Sequence, residues 1–464
     1  MAGVRRYMER LKSRFQDSDK EEYKNLGIYV HIPFCMHKCV YCDFLSALAD
    51  DTTRKEYVKA LLCEINITAG LYRKKLDKYR VKTIFFGGGT PSVIAPEYIK
   101  DIMECLHDNF DISEDAEITI ECNPGTLDVC KADIYRKCGI NRISFGLQSA
   151  DNAELKMLGR IHTFEKFEES LDIARKAGFD NINVDIMSAL PGQTMESYKR
   201  TVERVLECNV EHISAYSLIV EEETPLYERL DTDYPDLPDE DVERKMYYDT
   251  EDMLDKAGYI HYEISNYAQP GYECKHNLSY WERTDYLGFG IGAASLFEEI
   301  RHTNITDINK YIKDCNSLYS ECSYIAGFKY LQLDKEQVSK GKQKNIDNSI
   351  MVNNEADIDT AISENTNTED MPKDNILERS IWTDIQKLSL NDRMEEFMFL
   401  GLRKIAGISK SEFERTFSKN IYDVYGNVIK ENVCNGLLTD NEDRIKLTDR
   451  GVDISNVVMA EFLL

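Results

Sequence analysis

Three cysteines stand within eight residues: Cys35, Cys39 and Cys42, spaced C-x3-C-x2-C. A loop of that length can curl so that three thiolates face one metal centre. Three sulfurs satisfy three irons of a [4Fe–4S] cube and leave the fourth iron open, whereas a cluster that only carries electrons normally closes that position with a fourth cysteine. An open iron can chelate the amino and carboxylate groups of S-adenosylmethionine and deliver an electron to its sulfonium. Homolysis then gives a 5′-deoxyadenosyl radical that abstracts hydrogen. The competing readings are a structural zinc site or chance spacing. Zinc knuckles usually come paired as C-x2-C…C-x2-C, and no such pair follows.

Gly87-Gly88-Gly89-Thr90-Pro91 lacks the lysine of a phosphate-binding P-loop. Bare glycines at a strand end let backbone N–H and C=O groups approach a ligand, here the methionine amino group. Glu121 ends another β pattern and is placed to hold ribose hydroxyls; otherwise it is a surface carboxylate.

The elements that position these residues alternate. Candidate strands are GIYVHI (27–32), VKTIFF (81–86), AEITIE (116–121), NRISFG (141–146), NINVDIM (181–187) and HISAYSL (212–218). Helical patterns lie between them. One runs over 164–177, with Phe164, Phe167, Leu171 and Ala174 on one face and Gly178 as its stop. Another runs over 239–257, with Asp239 as N-cap, Val242, Met246, Met253 and Ala257 inward and Gly258 closing it. Six βα units predict an α/β fold, a partial (β/α)6 TIM-type barrel with its chemistry at the carboxyl ends of the strands. Polar residues and glycines do gather there, Gln148 and Asp185 among them.

The formal charge of −26, from 57 Lys+Arg against 83 Asp+Glu, repels phosphate backbones and argues against a nucleic-acid partner. No apolar run approaches the roughly 18 residues of a membrane span, and the first residues lack a secretory apolar region. Thirteen cysteines with no evident disulfide framework fit a reducing, cytoplasmic compartment; those outside the cluster motif read as buried small apolar residues.

Residues 331–381 hold no aromatic side chain, and seven asparagines fall between Asn345 and Asn375. A flexible low-complexity insertion is expected over 325–380. The remaining organisation reads as a leader helix over 1–26, the barrel and an extension over 27–310, and a C-terminal domain over 381–464. There KLTDRG before a helix suggests a small α-rich, winged-helix-like end. The leader sets Val4, Met8, Leu11 and Phe15 among arginines and lysines. It reads as a docking helix or frayed end, with peripheral contact to an anionic membrane as the other reading.

Taken together, YVHIPFC, GGGTPS, ECNP, RISFGLQS, LGRIH, LPGQT, ISAYSL, YEISNYA, KHNLSYW, DYLGFGIGAAS and EEFMFLGLRKIAGI resemble the radical SAM superfamily. Within it they resemble the family of oxygen-independent coproporphyrinogen III oxidases and their relatives, the HemW-type heme chaperones. The resemblance covers roughly 27–310 and 388–464. It implies cluster ligation by Cys35, Cys39 and Cys42, and S-adenosylmethionine contacts at Tyr29, Tyr41, Gly88, Gly89, Thr90, Glu121, Gln148, Arg160 and Asp185. Whether one or two cofactor molecules bind stays open. No residue is assigned a catalytic role.

The oxidase type carries a further cysteine two residues after the third; here that residue is Phe44, as in the chaperone type. His276-Asn277-x-x-Tyr280-Trp281 is similar to the chaperones' HNxxYW signature. It implies an imidazole ligand to heme, with Tyr and Trp walling a porphyrin face; the bland reading is a hydrogen-bonded core histidine. Cys274 is a secondary ligand candidate, and Ala294 stands where relatives often have histidine.

The first expected function is therefore a heme chaperone that carries heme as cargo to apo-proteins of the respiratory chain. The second is the oxidase, decarboxylating two propionates of coproporphyrinogen III. A tRNA-modifying enzyme is disfavoured by the acidic charge. A homodimer stays open.

Overall fold

The computed structural model describes residues 23–230, 232, 234–322 and 381–464. The leader expected over 1–26 lies outside the described residues except at its end, where residues 24–26 already belong to the first strand. The insertion expected over 325–380 lies outside them altogether.

Six strands follow in order: β1 (Lys24–Ile32), β2 (Tyr79–Gly88), β3 (Ile112–Cys122), β4 (Arg142–Gln148), β5 (Ile182–Ser188) and β6 (His212–Ser217). All pair in parallel with their sequence neighbours. Side chains alternate across a strand. One set, including Ile28, Val30, Ile84, Phe86, Ile120, Ile143, Phe145, Val184 and Ile213, is fully buried beneath the helices Asp51–Leu76, Pro96–Asn109, Val129–Lys137, Phe164–Lys176 and Met195–Glu207. Each such side chain contributes roughly 1.5–3 kcal/mol of burial. The other set faces the barrel interior, and it is largely polar.

Helix starts follow the sequence. Asp50, Asp128, Thr163, Thr194 and Asp239 each accept a backbone N–H from the first turn, satisfying donors the helix leaves open. Phe164, Phe167, Leu171 and Ala174 are buried as expected, and Gly178 has φ +87. In Glu240–Lys256, however, Ala257 is the exposed C-cap rather than an inward residue, and Leu254 is the last turn's fully buried side chain, one helical turn after Thr250.

The barrel stays open. β7 (Ile260–Glu263) and β8 (Asn266–Ala268) extend the sheet beyond β6. Beyond β1 lie β9 (Tyr286–Phe289, parallel to β1), β10 (Ala294–Phe297), β11 (Ile300–Asn304) and β12 (Trp382–Lys387). Because β12 pairs with β11, residues 382–387 belong to the barrel sheet and not to the C-terminal unit expected from 381.

The C-terminal unit has its own core around Met394, Met398, Phe413, Tyr425, Ile445 and Phe462. It combines helices Leu390–Gly401, Lys410–Phe417 and Ile421–Cys434 with three strands: β13 (Ile408–Ser409), β14 (Leu438–Asn441) and β15 (Arg444–Leu447). The β14–β15 hairpin followed by the Thr448-capped helix is the expected wing-like end. Among the described residues no helix is long and apolar enough to cross a membrane.

Candidate functional site at the barrel mouth

The cysteine loop is pinned at both ends. Cys35 N–H donates to Ala47 C=O (3.1 Å), and Ala47 N–H donates to Pro33 C=O (2.8 Å). His31 bridges Tyr29 Oη (3.0 Å) and Leu45 C=O (2.9 Å), tying the loop to β1. Its middle is held by Val40, which bonds Leu158 C=O and Leu226 N–H. Cys35, Cys39 and Cys42 are half-buried free thiols. Burial first, then the neighbouring Cys39 and Cys35, push the Cys42 thiol up.

A chain of polar contacts joins two of the sulfurs. Cys35 Sγ lies 3.7 Å from Thr90 Oγ1, which accepts from Asn123 Nδ2 at 2.8 Å. Asn123 Oδ1 accepts from Arg160 Nη2 at 2.7 Å, and Arg160 Nη1 donates to Cys39 Sγ at 3.4 Å. Arg160 also donates to Gly146 C=O. Asn123 was not singled out from the sequence; its place before Pro124 at a strand end was the available signal.

The glycine loop packs directly against this one. Gly89 N–H donates to Ile32 C=O (2.9 Å) and Thr90 N–H to Phe34 C=O (2.8 Å). Gly88 has φ +110, and a Cβ there would overlap the His31 ring; at Gly89 it would lie 2.8 Å from Phe34 O. Only glycine fits at either position, which lets His31 and the cysteine loop pack directly onto this backbone.

Glu121 accepts from Gly88 N–H at 3.2 Å. Burial, with Asp185 adding to it, pushes its carboxyl up to about 8; burial likewise raises Asp185. The Arg142 and Arg160 guanidiniums partly offset the charge of Asp185, whereas the raised Glu121 is the carboxyl that a positively charged ligand would return to its ionised form. Gln148 has φ +74, a left-handed conformation that a non-glycine residue adopts at a cost, at a register shift between β4 and β5. Tyr41 neighbours Arg160, Cys39, Cys42 and Asp185. The mouth thus gathers all twelve residues expected for cluster and cofactor. Three thiols, one carrying a guanidinium, with a bare glycine cradle and a carboxylate pair, fit a thiolate-held cluster with a cationic amino-acid ligand. Among the described residues no group of three His, Cys, Asp or Glu side chains is arranged to hold a single metal ion.

The heme candidates lie at the opposite end. His276, on the helix Lys275–Trp281, is 2% exposed inside the barrel floor. Its Nδ1 is 2.9 Å from Thr83 Oγ1 and its Nε2 is 3.0 Å from Tyr280 Oη, and the ring stacks on Phe85. Burial pushes the imidazole down to about 3, so it is neutral. Glu117 accepts from His276 N–H (3.1 Å), Lys275 N–H (3.1 Å) and Cys274 Sγ (3.5 Å). It supplies the cap that Cys274 does not. Burial, with Glu117 adding to it, pushes the Cys274 thiol up to about 12, so it is a protonated thiol rather than a thiolate ligand.

Trp281 faces away, under the Arg403 guanidinium of the C-terminal unit at 4.4 Å, and Asn277 is half-buried on the same short helix. The structure brings His276 and Tyr280 together but does not join them with Trp281 around one open pocket. Glu117 and Thr83 were not foreseen; their partners are more than 150 residues away. Cys130 and Cys434 are exposed, against the expectation of burial, since both lie on outer helix faces.

A hydrogen-bonded thread joins the two ends. Asp185 accepts from Asn183 Nδ2 (2.7 Å), Asn183 Oδ1 pairs with His212 Nδ1 (2.5 Å), and His212 Nε2 pairs with Tyr262 Oη (2.7 Å), which accepts from Cys274 N–H (3.2 Å).

Comparison with known proteins identifies the fold and the family. The Radical SAM superfamily pattern matches residues 29–205, and that of the HemN C-terminal domain matches 388–454. A Lactococcus lactis protein named heme chaperone HemW is 33% identical over 94% of this chain and 97% of its own length. A Bacillus subtilis protein of that name is 32% identical over 94% and 98%. The solved structure of the Escherichia coli coproporphyrinogen III oxidase, a radical SAM enzyme, superposes with a TM-score of 0.70 over 95% of this chain and 90% of that one, at 21% identity. The chain belongs to the HemW family of radical SAM proteins.

Proposed function

We propose that this chain is a heme chaperone, binding heme and passing it to apo-proteins, with a [4Fe–4S] cluster on Cys35, Cys39 and Cys42 and S-adenosylmethionine at the open iron. The observation that carries the reading is Phe44. It stands where the oxidase type has a further cysteine, and the residue is 66% exposed on the cluster loop. The relatives named heme chaperone HemW, spanning nearly the whole chain, support the same reading. The free state of the twelve described cysteines fits a reducing, cytoplasmic setting.

Bound together, cluster and S-adenosylmethionine supply one-electron chemistry at a sulfonium. This chain's residues hold and orient them. Gly88 and Gly89, having no side chain, let the amino acid part approach the backbone closely. Glu121 and Asp185 offer carboxylates to its hydroxyl and cationic groups, and Arg160 stabilises negative charge on Cys39. Tyr29, Tyr41, Thr90 and Gln148 complete the cofactor's surroundings. His276 would offer a neutral imidazole to the iron of heme, with Tyr280 beside it, while Asn277 and Trp281 lie elsewhere on the same short helix and would meet heme only once that helix moves.

The test is an anaerobic incubation of reconstituted protein with S-adenosylmethionine, reductant and coproporphyrinogen III, with heme titrated into a second aliquot. The expected result is stoichiometric heme binding and no vinyl product from an intact cluster. Decarboxylated product with turnover makes the protein an oxidase instead.

A further inference from the structure

His276 has two ring nitrogens, and each is engaged by a hydroxyl. Whichever nitrogen carries the proton, the lone pair of the other accepts from Thr83 or Tyr280. That lone pair is the one an iron atom needs. The helix is fastened on both sides. On the barrel side Glu117 holds its first turn through three donors. On the outer side the C-terminal unit clamps its end: Arg403 covers Trp281 at 4.4 Å, and Lys404 pairs with Glu282 at 3.2 Å. Just beyond, Arg283 bonds Glu396 (2.7 Å) and Glu299 (2.9 Å), and Arg301 bonds Glu396 (2.6 Å). Glu396 is 4% exposed.

The clamp is charged, while the two units keep separate hydrophobic cores, Ile264 being an apolar contact from the barrel side to the C-terminal core. Ion pairs of this kind return little net stability, because desolvation offsets much of their attraction, yet they fix register. The segment Arg403–Ile405 is itself bonded to the barrel, Ile264 N–H to Arg403 C=O and Ile405 N–H to Tyr262 C=O (both 3.1 Å), so what can part without exposing a shared core is the side-chain contact between the helix and this segment.

Resting on the heme-chaperone reading, we infer that this is the closed state of the heme site. Heme reaches His276 only when the helix Lys275–Trp281 separates from the barrel floor and from the C-terminal unit. The closed fraction lowers apparent heme affinity in proportion to the scarcity of the open form. Loosening the clamp therefore strengthens heme binding, although neither Arg403 nor Lys404 belongs to the proposed ligand set.

The experiment is an anaerobic heme titration of the full-length chain, wild type against R403A/K404A, with circular dichroism and thermal midpoint recorded for both. The expected result is heme binding about 3- to 10-fold tighter in the folded double variant. Unchanged or weaker binding by a folded variant overturns the inference. Stopped-flow mixing of the wild type supplies a readout that needs no variant. An association rate that levels off with rising heme is expected, because opening limits it, and a rate that climbs linearly throughout overturns the closure. A wild type that binds no heme overturns the chaperone reading together with the closure, whereas H276A binding heme as the wild type does overturns the closure alone and moves the heme ligand elsewhere.

Discussion

At the carboxyl end of the barrel, Tyr29, Glu121, Gln148 and Asp185 are half-buried around bare glycine backbone. At the amino end Thr83, Glu117, Arg142 and His212 are at most 5% exposed and hydrogen-bonded to one another's neighbours. The same six strands, read on the same inward face, build a mouth that keeps a strained Gln148 and incompletely compensated carboxyls, and a floor in which Thr83, Glu117, His212 and His276 are matched while Arg142 Nε is left without a partner. Strain and mismatched charge persist where a ligand is to supply what is missing. The floor's matching instead makes the imidazole there inaccessible as placed. A thread from Asp185 to Cys274 joins the two ends, so they are not isolated from each other.

The largest expected effect breaks the mouth alone. Replacing Cys35, Cys39 or Cys42 with alanine removes the broad visible absorbance of the reconstituted cluster, checked by iron and sulfide analysis. Retention of full iron and sulfide in all three variants would sink the ligand assignment.

Next, R160A removes the donors to Cys39, Asn123 and Gly146. Charge-assisted hydrogen bonds contribute about 1.5–3 kcal/mol, so S-adenosylmethionine affinity, read by equilibrium dialysis, drops at least about tenfold. Unaltered affinity contradicts the role of Arg160 at the mouth.

On the floor, T83V leaves His276 Nδ1 without its partner, which costs about 1–3 kcal/mol in urea unfolding. Q148G at the mouth goes the other way, since glycine accepts φ +74: stability holds or rises by up to about 1 kcal/mol while cofactor affinity falls. Equal destabilisation by T83V and Q148G would erase the contrast between the two ends.

The smallest effect is in pH. Glu121 titrates near 8 in the fold against 4.5 ordinarily. An acid raised this way contributes stability below its ordinary value and loses it as pH rises through the folded value. The thermal midpoint of the cofactor-free protein falls by a few degrees between pH 6 and 9, and the E121Q variant flattens that slope. An identical slope in E121Q assigns the pH dependence elsewhere.

Much of this was legible beforehand because its signals are local. The β patterns such as GIYVHI, the cap at Asp239, the stop at Gly178 and the polar strand ends placed the barrel and the mouth. The floor was hidden because its partners are distant: Glu117 reads as one more polar residue of AEITIE until Lys275 and His276 arrive above it. HNxxYW likewise names the residues but not which helix face meets the barrel, so the opposite directions of His276 and Trp281 could not be foreseen. Trp382 joins the barrel sheet through β11, across a stretch whose composition marks a boundary.

Hydrogen–deuterium exchange of the full-length chain, with and without saturating heme, tests the contrast most directly. Without heme, the peptide over 274–281 is strongly protected while that over 35–46 exchanges faster, and heme raises exchange in 274–281. A 274–281 peptide that exchanges freely without heme, or stays fully protected at full heme occupancy, contradicts a closed floor that opens for its cargo.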